Sequence, residues 1–257
     1  MAVVYEADET ETGRRVALKM MSHRLVFDRN ARRQFQIEAD LIESFDHPNI
    51  VRMFGRFEAF HTFFIVMEYC DGSSLDRILA ARGSLPVADV RRIVGQLASA
   101  LQYAHGRRIV HRDIKPSNVM VNRDGIARLM DFGLARAVPE GGVGAAARTA
   151  GTPPYMAPEQ LAEGPIGTAA DLYALAGTTW EMLTGKSPFR AKNFDALRKE
   201  HAAWEIAAEP LASAGVEADL EAFLTRCLVR DPAARVADLS TMASWAAPVR
   251  YDDLAES

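Results

Sequence analysis

Cysteine is scarce in this chain: two in 257 residues, Cys70 and Cys227, far apart and without C-x-x-C spacing. That excludes a disulfide framework, gives no zinc-ligand pattern and makes a reducing cytoplasm the expected setting. No run approaches the ~18 consecutive apolar residues of a membrane-spanning helix, and no basic stretch followed by an apolar core opens the chain. A membrane span and a secretory leader are therefore not expected. Positive charge is not in excess either, the formal net charge being −4. The basic pairs Arg32-Arg33 and Arg107-Arg108 read as solvated helix faces, so a nucleic-acid partner is not expected. What the chain has in quantity is apolar residue, 49% of the total. That is enough to bury a large core in one domain or in two lobes sharing a cleft.

The pattern of these apolar residues divides the chain. Residues 3–7 and 15–20 are apolar runs around a polar turn, the signature of a β-hairpin with Lys19 near its end. Over 30–45, Phe35, Ile37, Leu41, Ile42 and Phe45 recur at spacings of three and four among charges, which predicts an amphipathic helix stopped by Pro48. Residues 51–57 and 63–69 read as two further strands, and Asp71-Gly72-Ser73 breaks the pattern. A helix is then expected through Val90, Val94, Leu97, Leu101 and His105, with Ser84 able to cap it and Pro86 in its first turn. Residues 119–121 and 126–130 form a second predicted hairpin around Asp124-Gly125. Helices are expected at 169–183, 218–228 and 238–245. The stretch 141–147, GGVGAAA, has the composition of a flexible segment.

The chemistry-bearing residues lie around the second hairpin. His111-Arg112-Asp113-Ile114-Lys115-Pro116-Ser117-Asn118 carries the pattern H-R-D-x-K-P-x-N, and Asp131-Phe132-Gly133 and Ala157-Pro158-Glu159 follow it. Six fixed positions in one motif leave little room for coincidence, and through these segments the chain resembles the eukaryotic-type (Hanks-type) serine/threonine protein kinase family. Frequent Ala, Arg and Gly point to a bacterial member. The resemblance spans nearly the whole chain. It implies an α+β, bilobal protein-kinase fold over 1–257: a small antiparallel β-sheet lobe with one helix over 1–69, then the hinge and a larger, mainly helical lobe over 70–257. Lys115-Pro116-Ser117-Asn118 and Thr152 speak for serine/threonine rather than tyrosine specificity.

Moving a γ-phosphoryl group from ATP needs little covalent work and much positioning of negative oxygens and metal ions. By resemblance, Asp113 takes or orients the proton of the substrate hydroxyl and Lys115 holds the γ-phosphate. Asn118 and Asp131 are the implied ligands of Mg²⁺, a hard ion suited to oxygen donors, with Mn²⁺ able to replace it. Val16-Ala17-Leu18-Lys19 matches the V-A-I-K strand, placing Lys19 on the α- and β-phosphates and implying a Lys19–Glu38 ion pair. An exposed strand lysine and one acid on a solvated helix face are the ordinary readings of those two residues. The resemblance also implies an adenine pocket with Val4 and Ala17 above the ring, Met120 below it, Met67 before the hinge, and backbone groups of Glu68 to Cys70 at its edge. His111 is expected beneath Phe132 in a structural role. Asp171 and the pair Glu159 with Arg235 are expected as anchors of the helical lobe. The implied partners are ATP and proteins bearing serine or threonine; the sequence does not address oligomeric state.

Thr149 is the only hydroxyl residue between Gly133 and Gly151, which makes it the expected phosphorylation site, by autophosphorylation, with Arg112 as the partner of its phosphate. The family's chains open with a strand and a G-x-G-x-x-G-x-V loop, whereas this one opens Met1-Ala2-Val3-Val4, with Ala2 at the third glycine and Val4 at the valine. Two glycines whose N–H groups cover phosphates are not in the sequence. Hydrogen bonds to charged groups contribute about 1.5–3 kcal/mol each, so a protein starting here would bind or transfer phosphate roughly a hundredfold less well. Two alternatives follow: a start further upstream, or a weak truncated kinase or pseudokinase scaffold.

Overall fold

In the computed structural model, which describes residues 3–20, 32–33, 36, 39–40, 42–132, 153–161, 166–191, 193–203 and 215–249, the chain opens on the expected hairpin. Strands β1 (Val3–Asp8) and β2 (Arg15–Met20) pair antiparallel from Val3 opposite Met20 to Asp8 opposite Arg15. Residues 32–33, 36, 39–40 and 42–43 are helical, within the stretch where a helix was expected. Strands β3 (Met53–Ala59) and β4 (Thr62–Glu68) complete a four-stranded sheet of order β1-β2-β4-β3. The inner strand β4 is the most apolar and the most buried of the four, while β2, also inner, is largely half-buried. The third strand starts two residues later than the sequence pattern suggests. Val51 donates instead to the Leu129 carbonyl at 3.0 Å, so its backbone belongs to the link between the sheets.

Asp71-Gly72-Ser73, expected as a break, enters a second sheet. Strands β5 (Gly72–Ser74), β6 (Val119–Asn122) and β7 (Ala127–Leu129) run in the order β5-β6-β7, because the Gly72–Ser74 backbone finds its ladder partners in β6. The β6–β7 turn is set by Asn122, whose Oδ1 accepts from the N–H groups of Asp124 at 3.1 Å and Ile126 at 2.8 Å. Helix α1 (Leu75–Arg82), which the sequence reading missed, buries Leu75, Ile78 and Leu79. Helix α2 (Val87–His105) is the expected amphipathic one, and Val90, Ile93, Val94, Leu97, Leu101 and Ala104 line its buried face. Its N-cap is Pro86 and not Ser84, since the fixed φ of proline presets the first turn without a side-chain cap.

Helices α3 (Thr168–Thr184), α4 (Phe194–Ala203), α5 (Ala218–Cys227) and α6 (Leu239–Ala243) follow. Helix α4 also escaped the sequence reading. Helix α3 is apolar nearly all round and buried along most of its length, and α2 and α5 pack against it. Asp238 caps α6 by accepting from the N–H groups of Ser240 and Thr241. The architecture is therefore α+β: an antiparallel sheet with helical residues beside it, then a mainly helical part whose small second sheet carries the site described next.

Candidate active site

The β6–β7 hairpin places the site. Asn118 ends a 3-10 turn (Pro116–Asn118) directly before β6, and Asp131 lies two residues beyond β7. The N–H of Met130 donates to the Asn118 carbonyl at 2.9 Å, so the ladder holds the two polar residues beside each other.

Around this hairpin the charges converge. Lys115 Nζ donates to Asp113 Oδ2 at 2.9 Å, and Asn118 Nδ2 donates to Asp113 Oδ2 at 3.1 Å and to the Asp113 carbonyl at 2.7 Å. Both amide hydrogens of Asn118 are thereby used, and its Oδ1 is left as an acceptor. From β2 of the first sheet, Lys19 Nζ lies 2.6 Å from Asp131 Oδ1, the two side chains being 12% and 23% exposed. Each carboxylate thus has an ammonium partner, with the amide between them. Glu38, the expected partner of Lys19, lies outside the described residues.

A second layer fixes the backbone that carries Asp113. Arg112 sits at φ 68°, a left-handed conformation that costs a non-glycine residue about 1–3 kcal/mol. The fully buried Asp171, on α3, holds it there: Oδ1 accepts from the Arg112 N–H at 2.7 Å, and Oδ2 from the His111 N–H and His105 Nε2, both at 2.8 Å. His111 Nδ1 accepts from the Asp113 N–H at 3.2 Å, so its hydrogen is on Nε2, which donates to the Met130 carbonyl at 2.9 Å. Its ring lies 4.6 Å from that of Phe132, and Phe45, from the segment that precedes β3, meets Phe132 edge-on. Asp131, at φ 64°, therefore stands between two tethered neighbours.

The helical part locks the segment entering at Pro153. Gln160 Nε2 donates to the Arg112 carbonyl and its Oε1 accepts from the Ala157 N–H, both at 2.9 Å. The Tyr155 hydroxyl bonds Glu181 on α3; burial pushes that carboxyl up, and the tyrosine bond opposes the shift. Arg235 is nearly buried, and all five of its N–H groups are used, on Glu159 Oε1 at 2.6 Å and Oε2 at 2.9 Å, and on the carbonyls of Val229, Ala169 and Arg230. The expected anchors Asp171, Glu159, Arg235 and His111 occupy these positions.

The residues expected around adenine line the two sheets. Ala17 on β2 stands opposite Met67 on β4, Val4 on β1 opposite Lys19, and Met120 on β6 opposite Ser74 and Arg128. Val4 is exposed, Met67 buried, and Ala17 and Met120 half-buried. Glu68 uses its own N–H on the Arg52 carbonyl at 2.8 Å and pairs with Arg128 at 3.4 Å. Beside it, burial and the Glu68 charge raise the Cys70 thiol to about 11, with Arg128 opposing. Gly133, Thr149, Gly151 and Thr152 lie outside the described residues.

Comparison with known proteins decides the family, because the protein kinase domain family matches residues 1–245. The chain belongs to the protein kinase family. This kinase domain is 36% identical over 239 residues to a probable serine/threonine-protein kinase of Streptomyces coelicolor, covering 90% of this chain and 35% of that protein. It is 36% identical over 237 residues to serine/threonine-protein kinase PknD of Mycobacterium tuberculosis, covering 91% and 36%. It is 32% identical over 232 residues to serine/threonine-protein kinase PrkC of Bacillus subtilis, covering 90% and 36%. The kinase domain thus groups with the eukaryotic-type serine/threonine kinases of bacteria, and spans about a third of the length of these relatives. Among solved structures, it superposes on Rad53 residues 1–466 in complex with AMP-PNP with a TM-score of 0.78 at 27% identity, covering 95% of this chain and 61% of that one.

The site residues that reading the sequence missed are the tethers His105, Gln160 and Arg128. None carries a local signal, because each reaches a partner distant in sequence: Asp171, the Arg112 carbonyl and Glu68.

Proposed function

We propose that this kinase domain transfers the γ-phosphoryl group of ATP to serine and threonine hydroxyls of proteins. The observation that carries the reading is the Asp113 carboxylate, held by Lys115 and Asn118 one ladder bond from Asp131 and its Lys19 partner. Asp113 orients the substrate hydroxyl and receives its proton, and Lys115 is within reach of oxygens on which charge builds. Lys19 leaves Asp131 for the α- and β-phosphates, with Glu38 as its other partner. Val4, Ala17, Met67 and Met120 enclose adenine, and Glu68 and Cys70 offer it backbone groups.

Asn118 Oδ1 and the Asp131 carboxylate are hard oxygen donors on neighbouring backbone positions, a set that fits Mg²⁺ or Mn²⁺. When bound, such an ion would neutralise phosphate charge. Residues 1–69 form the smaller lobe of the domain and 70–257 the hinge and larger lobe, acting in the cytoplasm, with Thr149 modified by the enzyme itself.

The test is label transfer from γ-labelled ATP and magnesium to a generic protein substrate and to the chain itself, followed by phosphoamino-acid analysis and mapping. The expected products are phosphoserine and phosphothreonine, with Thr149 among the sites in the chain. Label confined to tyrosine would overturn the specificity, and no transfer at any magnesium concentration would overturn the activity.

A further inference from the structure

Gln96, on α2, is 2% exposed, and the mechanism does not use it. Its carboxamide meets a partner at each of its four hydrogen-bonding positions. Oε1 accepts from Asn49 Nδ2 at 3.1 Å and from the Ala127 N–H at 2.7 Å. Nε2 donates to the Ala247 carbonyl at 2.7 Å and, more weakly, to the Gly125 carbonyl at 3.4 Å. Only this orientation serves all four, since a flipped amide would set N–H against N–H twice. Asn49 spends its second N–H on the Ala127 carbonyl at 3.0 Å, and its own carbonyl accepts from Leu129 at 2.9 Å. One buried amide therefore joins α2, the link that arrives from the first sheet, the active-site hairpin and the C-terminal segment 245–249.

That segment crosses α2 and the hairpin turn at van der Waals contact. A Cβ on Gly95 would lie 2.4 Å from the Ala246 nitrogen, and one on Gly125 would lie 1.7 Å from the Val249 oxygen. Gly125 also sits at φ 75°, and its carbonyl accepts from the Val249 N–H at 2.9 Å. The segment thus straps the turn of the hairpin whose two ends carry Asn118 and Asp131.

We propose that Gln96 is a positioning residue for the active site: with the 245–249 strap it sets the β6–β7 hairpin against α2, and so the placement of Asn118 and Asp131. Whatever moves the strap then reaches the site through the turn. The proposal rests on the phosphoryl-transfer reading for its kinetic consequence, but not for its structural one.

Gln96→Leu keeps the volume and removes the four bonds, whereas Val249→Pro removes one backbone donor at the strap and leaves α2 intact. Hydrogen exchange is measured on the full chain for residues 119–130, with α3 as internal reference, beside the magnesium-dependent affinity for ATP and kcat. The expected result is exchange about tenfold faster in 119–130 with α3 unchanged, and a parallel fall in magnesium-dependent ATP affinity or kcat of similar size. Equal acceleration in α3 would mean ordinary destabilisation and overturn the proposal. So would a loosened hairpin with ATP affinity and kcat at wild-type values. If Gln96→Leu does not fold, Val249→Pro decides by the same comparison. A wild-type chain that transfers no phosphate sinks the functional reading alone, and the exchange pattern still decides the strap.

Discussion

Replacing Asp171 with asparagine changes one atom and tests how the active-site backbone is held. The carboxylate gives Oδ1 to the Arg112 N–H and Oδ2 to both the His111 N–H and His105 Nε2, at 2.7–2.8 Å, and is fully buried. Asparagine has one acceptor oxygen. In its better orientation it keeps the two bonds of Oδ2 and turns its NH₂ against the Arg112 N–H. One charge-assisted bond, of about 1.5–3 kcal/mol, is lost, and the donor left facing a donor costs about 1–3 kcal/mol more. Arg112, at φ 68°, then keeps the Gln160 bond to its carbonyl but loses the tether on its N–H, so the strain turns it toward a commoner conformation, and Asp113 with it. Asp171→Asn should therefore lose about 2.5–6 kcal/mol in urea denaturation and, where it is still folded, show a fall in kcat well beyond any change in ATP affinity. A variant within about 0.5 kcal/mol of wild type, with kcat unchanged, would refute the reasoning.

Three further outcomes are expected. His201, buried against Tyr173 and Phe189, is pushed down to about 4 by burial and then by the charges of Arg235 and Arg230. The unfolded chain takes up its proton near pH 6.5 and the folded chain does not, so stability is full above that pH and falls as pH drops toward 4. His47 adds a slope of the same sign, and the His201→Phe variant, compared by urea denaturation at pH 7, 6 and 5, should show a shallower loss than wild type. Arg235→Ala strands Glu159 and three carbonyls and should cost about 3–5 kcal/mol, whereas a loss under 1 kcal/mol would mean that water replaces the guanidinium. Cys70 is raised to about 11 and Cys227 to about 12, so at pH 8 an aromatic disulfide reagent should label the native chain at least about a hundredfold more slowly than free cysteine. Rapid labelling of one thiol would contradict the burial assigned to Cys70.

Residues that stand in a short contiguous motif could be picked out of the sequence as candidates. His111 to Asn118 and Asp131 announced themselves by spacing, and both hairpins followed from apolar runs around polar turns. Helix α2 was legible because nineteen residues give its periodicity room. Helix α1, eight residues long and entered straight from a strand, gave too short a repeat. Strand β5 was hidden because Asp71-Gly72-Ser73 has turn composition, and Gly72–Ser74 is strand only through its ladder with β6. The pairing of Lys19 with Asp131 was not foreseen, since motif order does not say which acid a lysine meets. The Gln96 junction lay out of reach for the same reason. Its partners are Asn49, Gly125, Ala127 and Ala247, and nothing local links them.

The central claim is that Asp113 performs the proton chemistry of phosphoryl transfer, and Asp113→Asn tests it directly. Asparagine can still accept from Asn118 Nδ2, but it removes the base and the charge facing Lys115. Initial rates of label transfer from γ-labelled ATP at saturating magnesium should fall by about 10²–10⁴ with ATP affinity nearly unchanged. A rate within about threefold of wild type would contradict the account.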